Sequence, residues 1–322
     1  MKKRILGQYF TQNGVWLKPQ IKDFIKSTNC QIAYDPFAGD GHLLEVAKKI
    51  GFNKTTGLDI DHNLGWKVND SLVKIPTIDN AIIITNPPYL AKYSAKRKNI
   101  IMETQKYFDF SEYEDIYCIA LEKMLAAQEY VVAIIPETFI NSKFPKNRLS
   151  QITIVENNPF NDTDAPICIA CFDGKSKSLN QIKVFKNEEF IGSLGELEDK
   201  RLIPKKNQKI SFNKINGNLA LRGVDLTDES KRIAFMRKEN LKYNLKGIKH
   251  SSRLITIIEV NISENKLNSF ILKCNQILEE YRNLTKDVLL SPFKGNMKNG
   301  VRRRRLDYQT ARAIIEKAIE TI

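Results

Sequence analysis

Apolar residues recur along this chain with two different spacings, and the places where the spacing changes mark out its elements. Residues 17–28 follow helical spacing, with Ile21, Phe24 and Ile25 on one face. Gln31 to Tyr34 reads as a short strand running into Asp35-Pro36-Phe37-Ala38-Gly39-Asp40-Gly41. A helix over 42–50 follows, then a strand ending in Gly57-Leu58-Asp59-Ile60-Asp61. Ala81 to Thr85 is apolar almost throughout, which predicts a strand at the sheet centre, buried on both faces. It stops at Asn86-Pro87-Pro88-Tyr89, because two prolines cannot continue a hydrogen-bonded ladder. Residues 90–110 show no clear period and read as a mobile loop. Ser111-Glu112-Tyr113-Glu114 reads as a capping box opening a helix whose buried stripe is Tyr113, Tyr117, Ala120, Leu121, Met124 and Leu125. Strands are expected at 130–135, near 152–156 and at 167–172, with a polar loop from Asn157 to Pro166 between the last two.

Short strands alternating with amphipathic helices predict an α/β fold, an open Rossmann-like sheet with helices on both faces. Gly174-Lys175-Ser176-Lys177-Ser178 marks the expected end of this domain, residues 1–175, although the sheet could run on to about 190. Residues 176–322 are expected to form a smaller α+β domain. Its clearest element is a helix from about Glu264 to Lys286, with Leu267, Phe270, Ile271, Cys274, Ile277, Leu278 and Tyr281 on its apolar face. A glycine-containing loop from Ser291 to Gly300 leads into Val301-Arg302-Arg303-Arg304-Arg305 and a last helix to about Ile319. The chain shows no internal repeat and no low-complexity tract.

Charge separates the two halves. The net charge is +14, yet residues 1–174 hold 20 basic and 20 acidic residues, so the excess lies entirely beyond them. A neutral half joined to a strongly basic one suggests a catalytic unit beside a unit that binds a polyanion. Lys294, Lys298, Arg302, Arg303, Arg304 and Arg305 are the candidate nucleic-acid contacts; in an extended run only every second arginine can face the same side. No apolar run approaches the ~18 residues of a membrane helix, and the basic start loses its apolar run at Gln8. A cytoplasmic protein is expected. Five cysteines and three histidines are scattered, and Cys168-Ile169-Ala170-Cys171 falls within an apparent buried strand, so neither a metal site nor a disulfide is expected.

Three features at strand ends carry the chemistry. Glycines in Asp35 to Gly41 let the backbone approach a ligand beyond the carboxyl end of a strand. Asp59 ends the next strand, where a carboxylate can accept from both ribose hydroxyls, and Asp70 follows where an adenine amino group could donate to it. Asn86-Pro87-Pro88-Tyr89 offers the Asn86 side-chain carbonyl and the Pro87 backbone carbonyl in a rigid corner beside an aromatic ring. Two such acceptors suit an amino group conjugated to a planar ring, drawing its nitrogen towards sp3 geometry and freeing its lone pair.

With these motifs the chain resembles the gamma-order amino-methyltransferases of bacterial restriction–modification systems, over about residues 7–175. Gly7-Gln8-Tyr9-Phe10-Thr11 is similar to the family's N-terminal motif, although Gln12 stands where the family has proline. The resemblance implies a Rossmann-like methyltransferase sheet and S-adenosylmethionine as cofactor, held by Tyr9, Thr11, Asp35, Phe37, Gly39, Gly41, Asp59, Asp70 and Asn86. It implies Asn86, Pro87, Pro88 and Tyr89 as the catalytic corner, with Tyr89 and Phe160 stacking on a flipped base; Phe144 and Tyr93 are alternatives to Phe160. The Asn-Pro-Pro-Tyr form implies adenine N6 in double-stranded DNA, and the chain lacks the Pro-Cys of cytosine-ring methylases. The C-terminal half then stands where such enzymes carry target recognition. A cognate restriction endonuclease is a candidate partner, and a monomer is the default. Enzymes that methylate RNA amino groups, or a glutamine side chain of release factors, share the tetrapeptide and are the alternatives.

Overall fold

The computed structural model describes residues 14–156, 160, 163–241 and 254–321, so Tyr9 and Thr11 lie outside the described residues. The chain divides into two compact units, Met1–Gly195 and Glu196–Ile322.

The first unit follows the alternation of the sequence. Helix α1 (Pro19–Ser27) begins with proline in its first turn and precedes β1 (Ile32–Asp35), α2 (His42–Lys49), β2 (Lys54–Asp59) and the two-residue β3 (Lys67–Val68). Strand β4 (Ala81–Thr85) is buried throughout. Two short helices follow, α3 (Lys92–Arg97) and α4 (Ile101–Phe108), where a loop was expected. Ile100, Thr104 and Phe108 supply inward positions four residues apart, but each helix is shorter than the window in which such a period stands out. Helix α5 (Ile116–Ala127) begins after Asp115 and not at the expected capping box; the Ser111 hydroxyl instead accepts from the Tyr113 N–H in a turn. Strands β5 (Tyr130–Pro136), β6 (Leu149–Val155), β7 (Ile167–Phe172), β8 (Lys183–Lys186) and β9 (Glu189–Ser193) complete the unit. The last two extend the sheet, so the unit ends at Gly195 and not at 175.

These strands form one sheet in the order β3-β2-β1-β4-β5-β7-β6-β8-β9, parallel from β3 to β5, with β7 antiparallel to both neighbours. Ile21 and Ile25 of α1 and Leu43, Leu44 and Ala47 of α2 pack on Ala33, Ile82, Ile84, Val132 and Ile134 on one face. Residues that alternate with these, such as Tyr34, Ile83 and Val131, are equally buried towards the other face, and α5 packs on β5. Successive connections from β1 run in opposite directions, to β2 on one side and, after the return, to β4 on the other. Such a reversal opens a crevice at the carboxyl ends of β1 and β4, where open α/β sheets bind ligands.

The second unit is α+β. Short helix α6 (Leu194–Glu198) spans the division between the units. An antiparallel sheet contains β10 (Ile210–Phe212), β11 (Leu219–Arg222), β12 (Ala234–Arg237) and β13 (Ile255–Val260) in the order β10-β13-β11-β12. Helix α7 (Leu267–Thr285) packs on β12 and on α8 (Tyr308–Ile319). Between these helices the expected loop and basic run form a hairpin of β14 (Ser291–Asn296) and β15 (Arg302–Arg305).

Candidate functional site

Parallel pairing of β1 with β2 and β4 brings three strand ends side by side: Asp35 opposite Gly57, and Tyr34 opposite Ile83. The loop Asp35–Gly41, Asp59 and the Asn86–Tyr89 corner therefore open onto the same edge of the sheet. Asp35 is fully buried; its Oδ1 accepts from the Phe37 N–H at 3.0 Å and from the Thr85 hydroxyl at 2.5 Å. One carboxylate thus ties the glycine loop to the strand that ends in the proline corner. Burial pushes its pKa up to about 7, against the pull of the Thr85 hydroxyl and the Phe37 N–H, with the nearby Asp59 adding to the rise.

Asp59 receives one backbone N–H on each oxygen, from Gly39 (2.9 Å) and from Asp61 (2.9 Å). A carboxylate has about four acceptor positions, so two remain for a pair of hydroxyls. Asp70 accepts from Lys106 Nζ at 2.8 Å and from the Tyr107 hydroxyl at 3.0 Å, both on Oδ2. Asp59 and Asp70 line one cavity of about 280 Å3, together with Pro36, Phe37, Ile60, Leu72, Pro88 and Tyr107. Carboxylates set among apolar walls suit a small planar molecule bearing a few donors.

Sequence reasoning missed three members of this site. Lys106 and Tyr107 come from α4, in the stretch expected to be a loop. Trp66 is the third: its Nε1–H donates to the Gly39 carbonyl at 2.8 Å. Gly41 has φ of 81°, and a Cβ there would lie 2.9 Å from the Trp66 ring; at Gly57 it would lie 2.6 Å away. Both glycines are needed for the indole to lie against the loop, and Gly41 also for its left-handed backbone. The only available signal was rarity, since the chain has two tryptophans.

At the corner, Pro87 and Pro88 are buried, while Asn86 and Tyr89 are partly exposed. The Tyr89 hydroxyl contacts Asn86 Oδ1 and lies 2.7 Å from the Ile134 carbonyl. Phe160 stands next to Tyr89, with ring centroids 6.4 Å apart and planes crossed at 67°. A base sandwiched between them needs parallel rings about 7 Å apart, two layers of ~3.5 Å, so one ring must turn. Of the alternatives to Phe160, Phe144 packs against Tyr113 and Phe139, and Tyr93 is exposed on α3.

The basic run of the second unit differs from expectation. It is extended and alternates as expected, but Arg302 and Arg304 point into the unit, with 2% and 0% of their surface exposed. The Arg304 N–H donates to Asp225, which also pairs through both oxygens with Arg282. Arg303 donates to the Asp225 and Lys294 carbonyls and lies over the Phe293 ring. Lys294, Lys298 and Arg305 are the exposed members of the expected set, so Arg302 and Arg304 are structural cations and not surface ones. Among the described residues no cluster of potential metal ligands occurs, and no helix is long and apolar enough to cross a membrane.

No curated protein matches the chain by sequence. Among solved structures it is similar to a Listeria monocytogenes protein assigned to the class I S-adenosylmethionine-dependent methyltransferases. That match has 13% identity and a TM-score of 0.37, over 53% of this chain and 64% of the other. A type I restriction-modification methyltransferase subunit from Streptococcus thermophilus gives 18% and 0.39, over 55% of this chain and 47% of the other. The M protein of the type I restriction enzyme EcoKI gives 10% and 0.38, over 87% of this chain and 72% of the other. The chain thus spans less than two thirds of the length of the first two. Residues 66–163, from Trp66 through the proline corner to just past Phe160, match the model of the Eco57I restriction-modification methylase family.

Proposed function

We propose that this chain is an S-adenosylmethionine-dependent DNA methyltransferase of the restriction–modification type, acting on the exocyclic amino group of adenine. One observation carries the reading: a cavity with two carboxylates, Asp59 and Asp70, adjoins the corner Asn86–Tyr89, with Pro88 among the cavity's lining residues. The residues present fit the cofactor. Asp59 has acceptor positions left for the ribose hydroxyls, Asp70 for the adenine amino group, and Pro36, Phe37, Ile60 and Leu72 offer apolar surface to the purine. The glycine loop, held by Asp35 and by Trp66, closes one side. When bound, the cofactor supplies a methyl group on a positively charged sulfur.

The chain's own groups then act on the substrate base. The Asn86 side-chain carbonyl and the Pro87 carbonyl accept the two N–H bonds of the amino group and stabilise the positive charge that grows on its nitrogen. Fixing that nitrogen in place removes much of the entropy of the encounter, which in well-oriented systems is worth several kcal/mol, up to ~7–11. Reaching it in a duplex requires flipping the base, at a cost of a few kcal/mol. Stacking on Tyr89, and on Phe160 once the rings are parallel, returns part of that cost. The match of residues 66–163 to a restriction-modification methylase model supports this reading.

The deciding experiment offers labelled cofactor with duplex DNA, structured RNA and a translation release factor side by side. Label should enter DNA as N6-methyladenine. Label in RNA or protein alone overturns the substrate assignment. With Asp59→Ala, calorimetry should show weaker cofactor binding, since charged hydrogen bonds are worth roughly 1.5–3 kcal/mol each. Unchanged affinity would place Asp59 outside the cofactor site.

A further inference from the structure

Helices α3 and α4 follow the catalytic corner directly, and their two sides differ sharply. The inner side packs its own small core: Leu90, Ala95, Ile100 and Phe108 meet Ile116 and Ile119 of α5. The same segment holds the two most exposed large apolar side chains of the described residues, Met102 (90%) on α4 and Phe110 (91%) just past its end, and also Tyr93 (74%) on α3. A single exposed apolar residue means little, but this segment has already buried a core and still presents three.

Cations lie among them. Residues 90–107 carry Lys92, Lys96, Arg97, Lys98 and Lys106 against a lone acid, Glu103, within a half of the chain that is neutral overall. Lys106 is engaged by Asp70, and Lys92 lies over the Phe108 ring. The side chains of Lys96, Arg97 and Lys98 make no hydrogen bond or ion pair among the described residues. Tyr93 and Arg97 are four residues apart on one helix, and Met102 is four residues beyond Lys98, across the turn between the helices.

We propose that the tip of the α3–α4 hairpin is a second DNA-contacting surface, separate from the basic residues of the C-terminal unit. Lys96, Arg97 and Lys98 meet backbone phosphates, while Tyr93 and Met102 pack against bases next to the one that is flipped. A polyanion with exposed apolar edges is the partner this mixture fits: the cations alone would suit any acidic surface, and the apolar groups alone a protein groove. The inference rests on the function proposed above.

The test measures binding of the full chain to a mixed-sequence duplex over a salt series. Replacing Lys96, Arg97 and Lys98 together with alanine should lower affinity about tenfold or more, and the log–log salt slope by about 0.9 for each phosphate that is no longer neutralised. The control removes the same charge far from the corner: Lys22→Ala, Lys26→Ala and Lys49→Ala, around a surface hollow at the opposite strand ends. Tyr93→Ala with Met102→Ala should weaken binding about fivefold or more with the slope unchanged. If the hairpin triple variant behaves like its control, the phosphate assignment fails; if the apolar double variant binds like wild type, the base assignment fails. A wild-type chain that binds no duplex overturns both this surface and the function on which it rests, whereas a binding-competent wild type with an indifferent hairpin overturns the surface alone.

Discussion

Asp35 joins two roles that sit apart in the sequence. Because burial raises its carboxyl to about 7 from an ordinary value near 3.8, the folded chain binds a proton there that the unfolded chain releases. Such a group contributes stability fully below about 3.8, and that contribution is lost as the pH rises through about 7. Melting temperature should therefore fall between about pH 4 and 7 in the wild type relative to Asp35→Asn, which has no such titration. Parallel curves for the two proteins would mean that Asp35 does not titrate in that range. The Tyr89 hydroxyl raises a different question, because it faces two carbonyl oxygens with one proton to give. Asn86 Oδ1 faces that hydroxyl in the structure, so the amide must turn over before its N–H can donate to the Tyr89 oxygen and its carbonyl can face the substrate, with Tyr89 donating to Ile134. Tyr89→Phe keeps the ring and removes this anchor. Turnover should drop about threefold to tenfold, the worth of ~0.5–1.5 kcal/mol, with cofactor affinity unchanged. Asn86→Ala goes further and should leave cofactor binding nearly intact with no detectable transfer, as followed by incorporation of labelled methyl.

At the scale of elements, hydropathy located the strands that carry the site but not the pieces that have polar sequences. Strands β1, β4 and β5 were plain because their apolar runs are uninterrupted, and Asp35 and Asn86 could be assigned to strand ends for that reason; β2, which ends at Asp59, opens on the polar Lys54-Thr55-Thr56. The pair α3–α4 was hidden by shortness. Strand β15 was hidden by charge: four consecutive arginines carry no apolar alternation, and the carboxylate that accepts from the Arg304 backbone N–H, Asp225, lies 79 residues earlier. Asp225 takes the Ile233 N–H, the Arg304 N–H and both ends of the Arg282 guanidinium, so three elements converge on one buried carboxylate. Removing the Arg282 guanidinium leaves that charge without its partner, at a cost of about 3–5 kcal/mol. Chemical denaturation should show this destabilisation for Arg282→Ala on α7, while Arg305→Ala at the exposed end of β15 should stay within about 0.5 kcal/mol of wild type. Equal effects would contradict the burial of the Arg282–Asp225 pair against the exposure of Arg305.

At the scale of the molecule, charge and fold divide the chain in nearly the same place. Moving the boundary from 175 to 195 changes the balance to +2 for the first unit and +12 for the second, so the segregation read from sequence survives. The boundary itself was obscured because β8 and the edge strand β9 are half-polar, in a stretch where lysines and serines suggested a linker. If the second unit binds DNA, Lys294→Ala, Lys298→Ala and Arg305→Ala should each lower the salt slope by up to about 0.9, and fluorescence anisotropy on a duplex would show it. One more property comes from the indole that lies against the glycine loop. Trp16 is sealed in the core, while Trp66 is bonded to Gly39, in the loop that lends Pro36 and Phe37 to the proposed cofactor cavity. Ultraviolet emission from this chain should therefore have a constant part and a part that responds to ligand, which makes the protein its own optical sensor. Titrating cofactor should shift or quench the emission of the wild type, and Trp66→Phe should leave only the silent signal of Trp16.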